Sequence, residues 1–406
     1  MQQEYTEESI DYLINTDIEK RKKLGQYFTP KSIRDLLLKE LTSISDKKDN
    51  PKILDPASGT GEFLLSCNEY FNNPNLYGFE IDENLVNISK KLIDKADIKC
   101  IDTLQLDTEK SIKYDYVIGN PPYFEFKPDK ELKKNHSDII SGRVNIFSIF
   151  IKLGLELLND EGYLAYVVPP SMNNGAFFSK LREYIINNSS VEYLHVVEGS
   201  DNFYMANQKV MLLILKKTNN KNKKYIFSKN DITIFTEDKT FLNNAYKNTI
   251  SLKEIGYEVK TGSIAWNNYK KNLTGDKNNS IPLIYSSNIV DGKIVIPYKR
   301  TLQYIRNISE DFIIRNEVIV VNRITGSHKN VNIKSAIVRE KEFVCENHVN
   351  VIYPLSNYNK DYSLEYIYNA LNDETNIKVL SLITGNTQIS KTELERLLPI
   401  KIINKV

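Results

Sequence analysis

The chain has 406 residues, 41% hydrophobic and 26% charged, enough apolar material for two cores and too much for a disordered polymer. No run approaches the roughly 20 apolar residues of a membrane span, and the acidic start Met1-Gln2-Gln3-Glu4-Tyr5-Thr6-Glu7-Glu8 is no export signal, so a cytoplasmic protein without a membrane partner is expected. Three scattered cysteines and four histidines without ligand spacing offer no metal site, and the net charge of +2 hides a division: residues 1–215 carry 25 basic against 33 acidic side chains, residues 216–406 carry 29 against 19. The second half is the candidate surface for a polyanion.

Residues 4–23 are expected to be helical, with Ile10, Leu13, Ile14 and Ile18 along one face. Gly25-Gln26-Tyr27-Phe28-Thr29-Pro30 follows, Thr29 reading as the N-cap of a helix over residues 31–41 with Pro30 at its first position. A short strand, Ile53-Leu54, runs into Asp55-Pro56-Ala57-Ser58-Gly59-Thr60-Gly61-Glu62. Strand, glycine loop and helix start let backbone approach a ligand and aim a helix N-terminus at it. The loop lacks the third glycine of a dinucleotide fingerprint and the Gly-Lys-Ser/Thr of a phosphate loop, which argues against a nicotinamide cofactor and against ATP. A strand over 76–79 ends at Glu80-Ile81-Asp82, about 20 residues on, where an acid takes a ribose hydroxyl pair. A third, over 98–101, ends at Asp102-Thr103, where a carboxylate accepts from an adenine amine. Either acid alone reads more readily as a helix cap than as a ligand. Together with the glycine loop they fit one nucleoside.

The strand Tyr116-Val117-Ile118 stops at Asn120-Pro121-Pro122-Tyr123, because two prolines forbid both continued pairing and a helix. The Asn120 side-chain carbonyl and the Pro121 backbone carbonyl form two convergent acceptors, which suit a primary amine. Accepting both hydrogens of a nucleobase amine draws its nitrogen towards tetrahedral geometry and returns the delocalised lone pair to it. That nitrogen then attacks an electrophilic methyl. Tyr123 offers a face on which an extruded base stacks, worth roughly 1–3 kcal/mol.

Beyond Tyr123, residues 124–143 read as a charged loop, 145–158 as an amphipathic helix and 162–168 as a buried strand. A helix over 175–186 and strands over 191–197 and 209–216 complete one doubly wound parallel sheet closed by an antiparallel edge. Phe203, between the last two strands, is a candidate wall for the base. The polar run Lys216 to Lys224 separates a first domain, 1–217, from a second, 225–406, whose texture is short strands and turns. Strands are expected over 224–227, 232–235, 282–285, 317–322, 335–339 and 348–353, with helices confined to 363–371 and 391–397. The turns bearing Trp266, Arg323 and Lys329 carry residue types that reach base edges or phosphates.

Read in order, the Tyr27–Pro30 segment, the Asp55–Gly61 loop and Asn120-Pro121-Pro122-Tyr123 resemble the gamma-type DNA adenine-N6 methyltransferases. Gly262-Ser263-Ile264-Ala265-Trp266, Pro282 to Ser287, Glu346 to Ile352 and the ending Ile389 to Ile400 resemble the TaqI-type specificity domain. The resemblance implies an α/β, Rossmann-like methyltransferase sheet with a second, mostly β target-recognition domain, and S-adenosylmethionine as methyl donor. It places Tyr27, Phe28, Thr29, Asp55, Pro56, Ala57, Gly59 and Gly61 along the methionine portion. Glu80 falls at the ribose, Ile81 on the adenine face, and Asp102 with Thr103 at the adenine edge, Asn120 also lying beside the cofactor. Asn120, Pro121, Pro122 and Tyr123 form the catalytic tetrapeptide, and Tyr166 and Phe203 flank the flipped base. Double-stranded DNA is the implied partner, with a separate restriction endonuclease as candidate companion, a monomeric enzyme and a place at the bacterial nucleoid. Alternatives from the same amine logic are a cytosine-N4 methyltransferase, an RNA or protein-glutamine methyltransferase, and a modification subunit needing a partner.

Overall fold

The computed structural model describes residues 4–19, 21, 25–197, 210–296, 302–323, 326–327, 330–331, 333–339, 341–384 and 388–403. They fall into two units: Met1–Phe227 with Thr233–Glu237, and Ser228–Ile232 with Asp238–Val406. Among them no helix is long and apolar enough to cross a membrane.

Unit 1 runs α1 (Glu7–Asn15), α2 (Lys31–Ile44), β1 (Lys52–Asp55), α3 (Glu62–Tyr70), β2 (Asn75–Glu80), α4 (Glu83–Leu92), β3 (Asp97–Cys100), β4 (Tyr114–Gly119), α5 (Lys130–Asn135), α6 (Ile146–Leu157), β5 (Leu158–Val168), α7 (Ser179–Asn188), β6 (Ser190–Val197) and β7 (Val210–Lys216). Its sheet has the order β3-β2-β1-β4-β5-β7-β6, with β3 through β5 parallel and β7 antiparallel to both its neighbours. The antiparallel strand therefore lies one position inside the edge rather than at it. The burial patterns give the reason: Val210 to Leu215 are all buried and suit an interior strand, whereas β6 leaves half its side chains partly exposed and suits a border. β4 is apolar on both faces because helices cover both. Val117 and Ile118 are fully buried, each worth roughly 1.5–3 kcal/mol.

Three expectations change. The first helix has nine residues, closed where Thr16 turns extended while its N–H still reaches the Tyr12 carbonyl, so Ile14 stays 62% exposed. Residues 124–143 are not loop throughout, since Glu125–Phe126 pairs with Val144–Asn145 and α5 lies between. Helix α6 is buried nearly all round rather than amphipathic. Even Lys152 is enclosed, with its ammonium 2.8 Å from Asp138 and 3.1 Å from the Asn135 carbonyl.

Unit 2 holds an antiparallel four-stranded sheet in the order β8 (Tyr257–Thr261), β11 (Val349–Pro354), β9 (Val318–Asn322), β10 (Ser335–Val338). A second sheet is built from short strands around Ile281–Ile284. The helices Lys239–Ala245 and Glu374–Ile383 join the two foreseen near residues 364 and 391.

Candidate active site

Parallel strands bring their carboxyl ends to one side of the sheet, and four of the motifs sit there: Asp55 ends β1, Glu80 ends β2, Asp102 follows β3 and Asn120 follows β4. A cavity of about 300 Å³ opens among them, the lower end of the range for small-ligand sites. Tyr27, Phe28, Pro56, Ala57, Gly59, Glu80, Ile81, Asp102, Thr103, Asn120 and Pro122 all line it. Thr29, Asp55, Gly61, Pro121 and Tyr123 stand behind those walls. Leu85, Ile146 and Phe150 are among the further lining residues, and apolar helix residues carry no local signal of facing a ligand rather than a core.

Glycine makes the loop. Gly59 and Gly61 take left-handed backbone angles (φ +54° and +89°), and a Cβ on Gly61 would sit 2.6 Å from the Ser89 hydroxyl. The Gly59 N–H donates to Glu80 Oε2 at 2.9 Å, while Glu80 Oε1 accepts from both Ile81 N and Asp82 N. Three of the carboxylate's roughly four acceptor positions are thus filled from within. One remains on Oε2, which fits a single ribose hydroxyl and narrows the expected pair. Burial pushes the Glu80 carboxyl up, opposed by those three amides. Asp55 is enclosed more completely. Its Oδ1 accepts from Ala57 N at 3.0 Å, and burial pushes its carboxyl up to about 8, opposed by that bond and reinforced by the Glu80 charge. A Cβ on Gly119 would lie 2.6 Å from Asp55 Oδ1, so only glycine lets β4 pass so close. Ile81 is 67% exposed, an uncovered apolar face beside the cavity. Asp102 gives one oxygen to Leu104 N, whereas the Thr103 hydroxyl donates to the Pro56 carbonyl at 2.6 Å. Thr103 therefore ties the loop to β3 and has no proton left for an adenine edge. Left-handed glycines, a carboxylate with one open acceptor and an exposed apolar face suit the hydroxyl, charged and planar parts of S-adenosylmethionine.

The Asn120 amide is fixed from behind. Its Nδ2 donates to the Tyr27 carbonyl at 3.0 Å and to Thr29 Oγ1 at 2.9 Å, which leaves Oδ1 as its remaining polar atom. The Tyr123 hydroxyl faces both Oδ1 and the Val167 carbonyl, with one proton for two acceptors. Burial raises that phenol well above its ordinary range. The Pro121 carbonyl has no donor among the described residues. The Tyr27 segment reaches the tetrapeptide because Gly25 adopts φ +65°, where a Cβ would meet Phe124, Pro122 and the Tyr123 amide at 2.9–3.0 Å.

A network that sequence reasoning missed holds this wall. Buried Arg34 pairs with Glu62 at 2.9 Å, donates Nε to Ser66 and Nη1 to the Thr29 carbonyl. Burial lowers its guanidinium from the ordinary value, while Glu62 opposes the shift. From α1, Thr6 donates N–H and hydroxyl to Glu62, and Ser9 meets Thr60 at 2.7 Å. An Arg in the first turn of an otherwise apolar helix face was the available signal.

Several expected residues stand elsewhere. Thr29 is not the N-cap of α2; Pro30 holds that position without a side-chain cap, leaving the Thr29 hydroxyl for Asn120. Tyr166 is fully buried in β5 with its hydroxyl 3.4 Å from the Phe150 carbonyl, so it is a core residue and not a wall for the base. Arg323 donates Nη1 to the Asn347 carbonyl and Nη2 to Gln388, bonds within unit 2. Trp266 begins a short helix, half-buried, with the Lys270 ammonium 5.1 Å from its ring centre. Phe203 and Lys329 lie outside the described residues.

The family model N-6 DNA Methylase matches residues 7–274. Type II methyltransferase M.BsuBI of Bacillus subtilis is 24% identical, aligned over 94% of this chain and 88% of that protein. Modification methylase CviBIII of Paramecium bursaria Chlorella virus NC1A is 30% identical over 71% of each. Among solved structures, a putative class I S-adenosylmethionine-dependent methyltransferase from Listeria monocytogenes aligns with 51% of this chain and 71% of its own at 24% identity and a TM-score of 0.43. The matched span takes in every strand end described above, and the chain belongs to the N-6 DNA Methylase family of S-adenosylmethionine-dependent DNA methyltransferases.

Proposed function

We propose that Asn120 Oδ1 and the Pro121 carbonyl together accept the two N–H bonds of the N6 amine of an adenine flipped out of duplex DNA. The observation that carries this is the committed Asn120 Nδ2, whose two acceptors leave only an oxygen for the incoming amine. Two acceptors draw the amine out of conjugation with the ring. S-adenosylmethionine, when bound, supplies the electrophilic methyl. Glu80 takes a ribose hydroxyl through its open acceptor position, Ile81 covers the adenine face, and Phe28, Pro56, Ala57 and Gly59 line the rest. The methylated nitrogen loses its proton to water, since among the described residues no carboxylate or imidazole is hydrogen-bonded to Asn120. Tyr123 leaves Asn120 to stack on the flipped base, whose extrusion costs a few kcal/mol.

The basic residues of the second half bind the phosphates, with affinity falling steeply as salt rises. The enzyme acts as a monomer in the bacterial cytoplasm at the nucleoid, beside a separate restriction endonuclease. The test is single-molecule sequencing of plasmid DNA from methylation-deficient cells expressing the chain or its Asn120→Ala variant. N6-methyladenine at one short motif, missing with the variant, is expected. Wild-type methylation by Asn120→Ala overturns the site, and N4-methylcytosine overturns the target base.

A further inference from the structure

We propose that Thr29 is a positioning residue for Asn120, its hydroxyl holding the catalytic amide in the one orientation that offers an acceptor to the substrate. This rests on the reading of Asn120 given above. An amide side chain has two faces of opposite character, and their exchange needs only a half-turn about one bond. At Asn120 that half-turn would set Oδ1 against the Tyr27 carbonyl, acceptor against acceptor, and point two N–H donors at a substrate amine that itself brings donors. The orientation is therefore the difference between a site that binds the amine and one that repels it.

Two acceptors hold it, Tyr27 O at 3.0 Å and Thr29 Oγ1 at 2.9 Å: the carbonyl can only accept and so disfavours the half-turned amide, while the hydroxyl takes the second Nδ2 hydrogen and fixes the amide plane. The first is backbone and present whatever the side chain. The second is the only side-chain partner of Nδ2 among the described residues, and it comes from a residue 91 positions away in sequence. Thr29 is 3% exposed and absent from the cavity lining, which places it behind the catalytic wall rather than along the cofactor. It is also rigidly set. Its carbonyl accepts from Arg34 Nη1, and Arg34 is anchored in turn by Ser66 at 2.9 Å and Glu62 at 2.9 Å. Preorganisation of this kind, an orienting group locked by a further layer, is what keeps catalytic geometry within a fraction of an ångström. Valine at position 29 keeps the volume and removes the acceptor. One Nδ2 hydrogen then has no partner, and of the two acceptors that fix the amide from behind only the Tyr27 carbonyl remains, so its plane is held less firmly.

The test compares Thr29→Val, Thr29→Ser and Asn120→Ala by methyl transfer at saturating DNA and S-adenosylmethionine, by calorimetric cofactor affinity, and by melting temperature. With Thr29→Val, kcat is expected to fall about tenfold or more while cofactor Kd stays within about twofold, and Thr29→Ser restores kcat to within about twofold. Serine keeps the hydroxyl and loses only a methyl, so a packing role would not be rescued this way. Three results overturn the proposal: wild-type kcat in Thr29→Val, a weaker cofactor Kd with kcat intact at saturation, or equal losses in the valine and serine variants. Each of these beside an inactive Asn120→Ala leaves the Asn120 assignment standing, whereas an active Asn120→Ala removes both readings.

Discussion

Both units hold asparagine amides by hydrogen bonds, Asn288 fully buried in unit 2 and Asn120 half-buried in unit 1, and the two regions treat them in opposite ways. In unit 2, Asn288 is fully buried with every polar atom engaged: Oδ1 accepts from Tyr285 N and Gln303 Nε2, and Nδ2 donates to Val295 O and Gln303 Oε1 at 2.9–3.2 Å. Asn350 likewise joins Thr261 to the Ile389 carbonyl. In unit 1, Asn120 has its donors satisfied and its acceptor met only by a tyrosine hydroxyl that has another carbonyl available. Buried amides whose partners all come from the scaffold hold turns together. An amide whose last partner is exchangeable marks the point where the molecule expects something else.

The comparison breaks first at Asn120. Asn120→Ala should lower kcat by about 10² to 10³, the loss seen when one preorganised hydrogen-bonding group is removed from a reacting centre, with cofactor affinity unchanged by calorimetry. Asn288→Ala should act on stability instead, lowering the unfolding free energy by about 2–4 kcal/mol because four partners are orphaned together, read from denaturant melts. If that variant melts as wild type does, the amide cluster is not scaffold and the contrast fails. Tyr123→Ala should cost about 1–3 kcal/mol in base stacking, visible as reduced fluorescence enhancement from 2-aminopurine at the target position. A pH-dependent effect comes from Asp55. Its folded pKa of about 8 lies above the ordinary 3.8, so the folded state retains a proton the unfolded chain gives up. Its contribution is greatest below the ordinary value, declines as pH rises and levels off above the folded value. Asp55→Asn should flatten that decline in melting temperature between about pH 5 and 8.

The strand ends were legible because short apolar runs give way to polar or ring-locked residues, Pro121 after β4, Glu80 at the end of β2 and Asp102 after β3. Chemistry at those ends needs particular residue types, so type and position together disclose it. Tyr166 was misplaced because β5 is covered on both faces, which erases the alternation that tells one face from the other. The Thr29 hydroxyl looked like a helix cap, and its actual partner lies too far along the chain for any local pattern to reveal. The same holds for Gln303 and Asn288, paired by a turn in unit 2. The helix Glu374–Ile383 was different: Asp373 as N-cap and Ile377, Leu380 and Ile383 at helical spacing were present in the sequence and passed over.

The first helix, described above as part of the wall behind the glycine loop, has a practical meaning. One short peptide touches three neighbouring segments: Ser9 meets Thr60 in the loop, Thr6 bonds Glu62 at the start of α3, and Tyr12 stacks on Phe28 at 5.8 Å. Removing residues 4–15 is therefore expected to leave the sheet and Asn120 in place while freeing the glycine loop, read as a weaker affinity for S-adenosylmethionine. Residues 4–15, added back as a synthetic peptide, are expected to restore that affinity in a dose-dependent way.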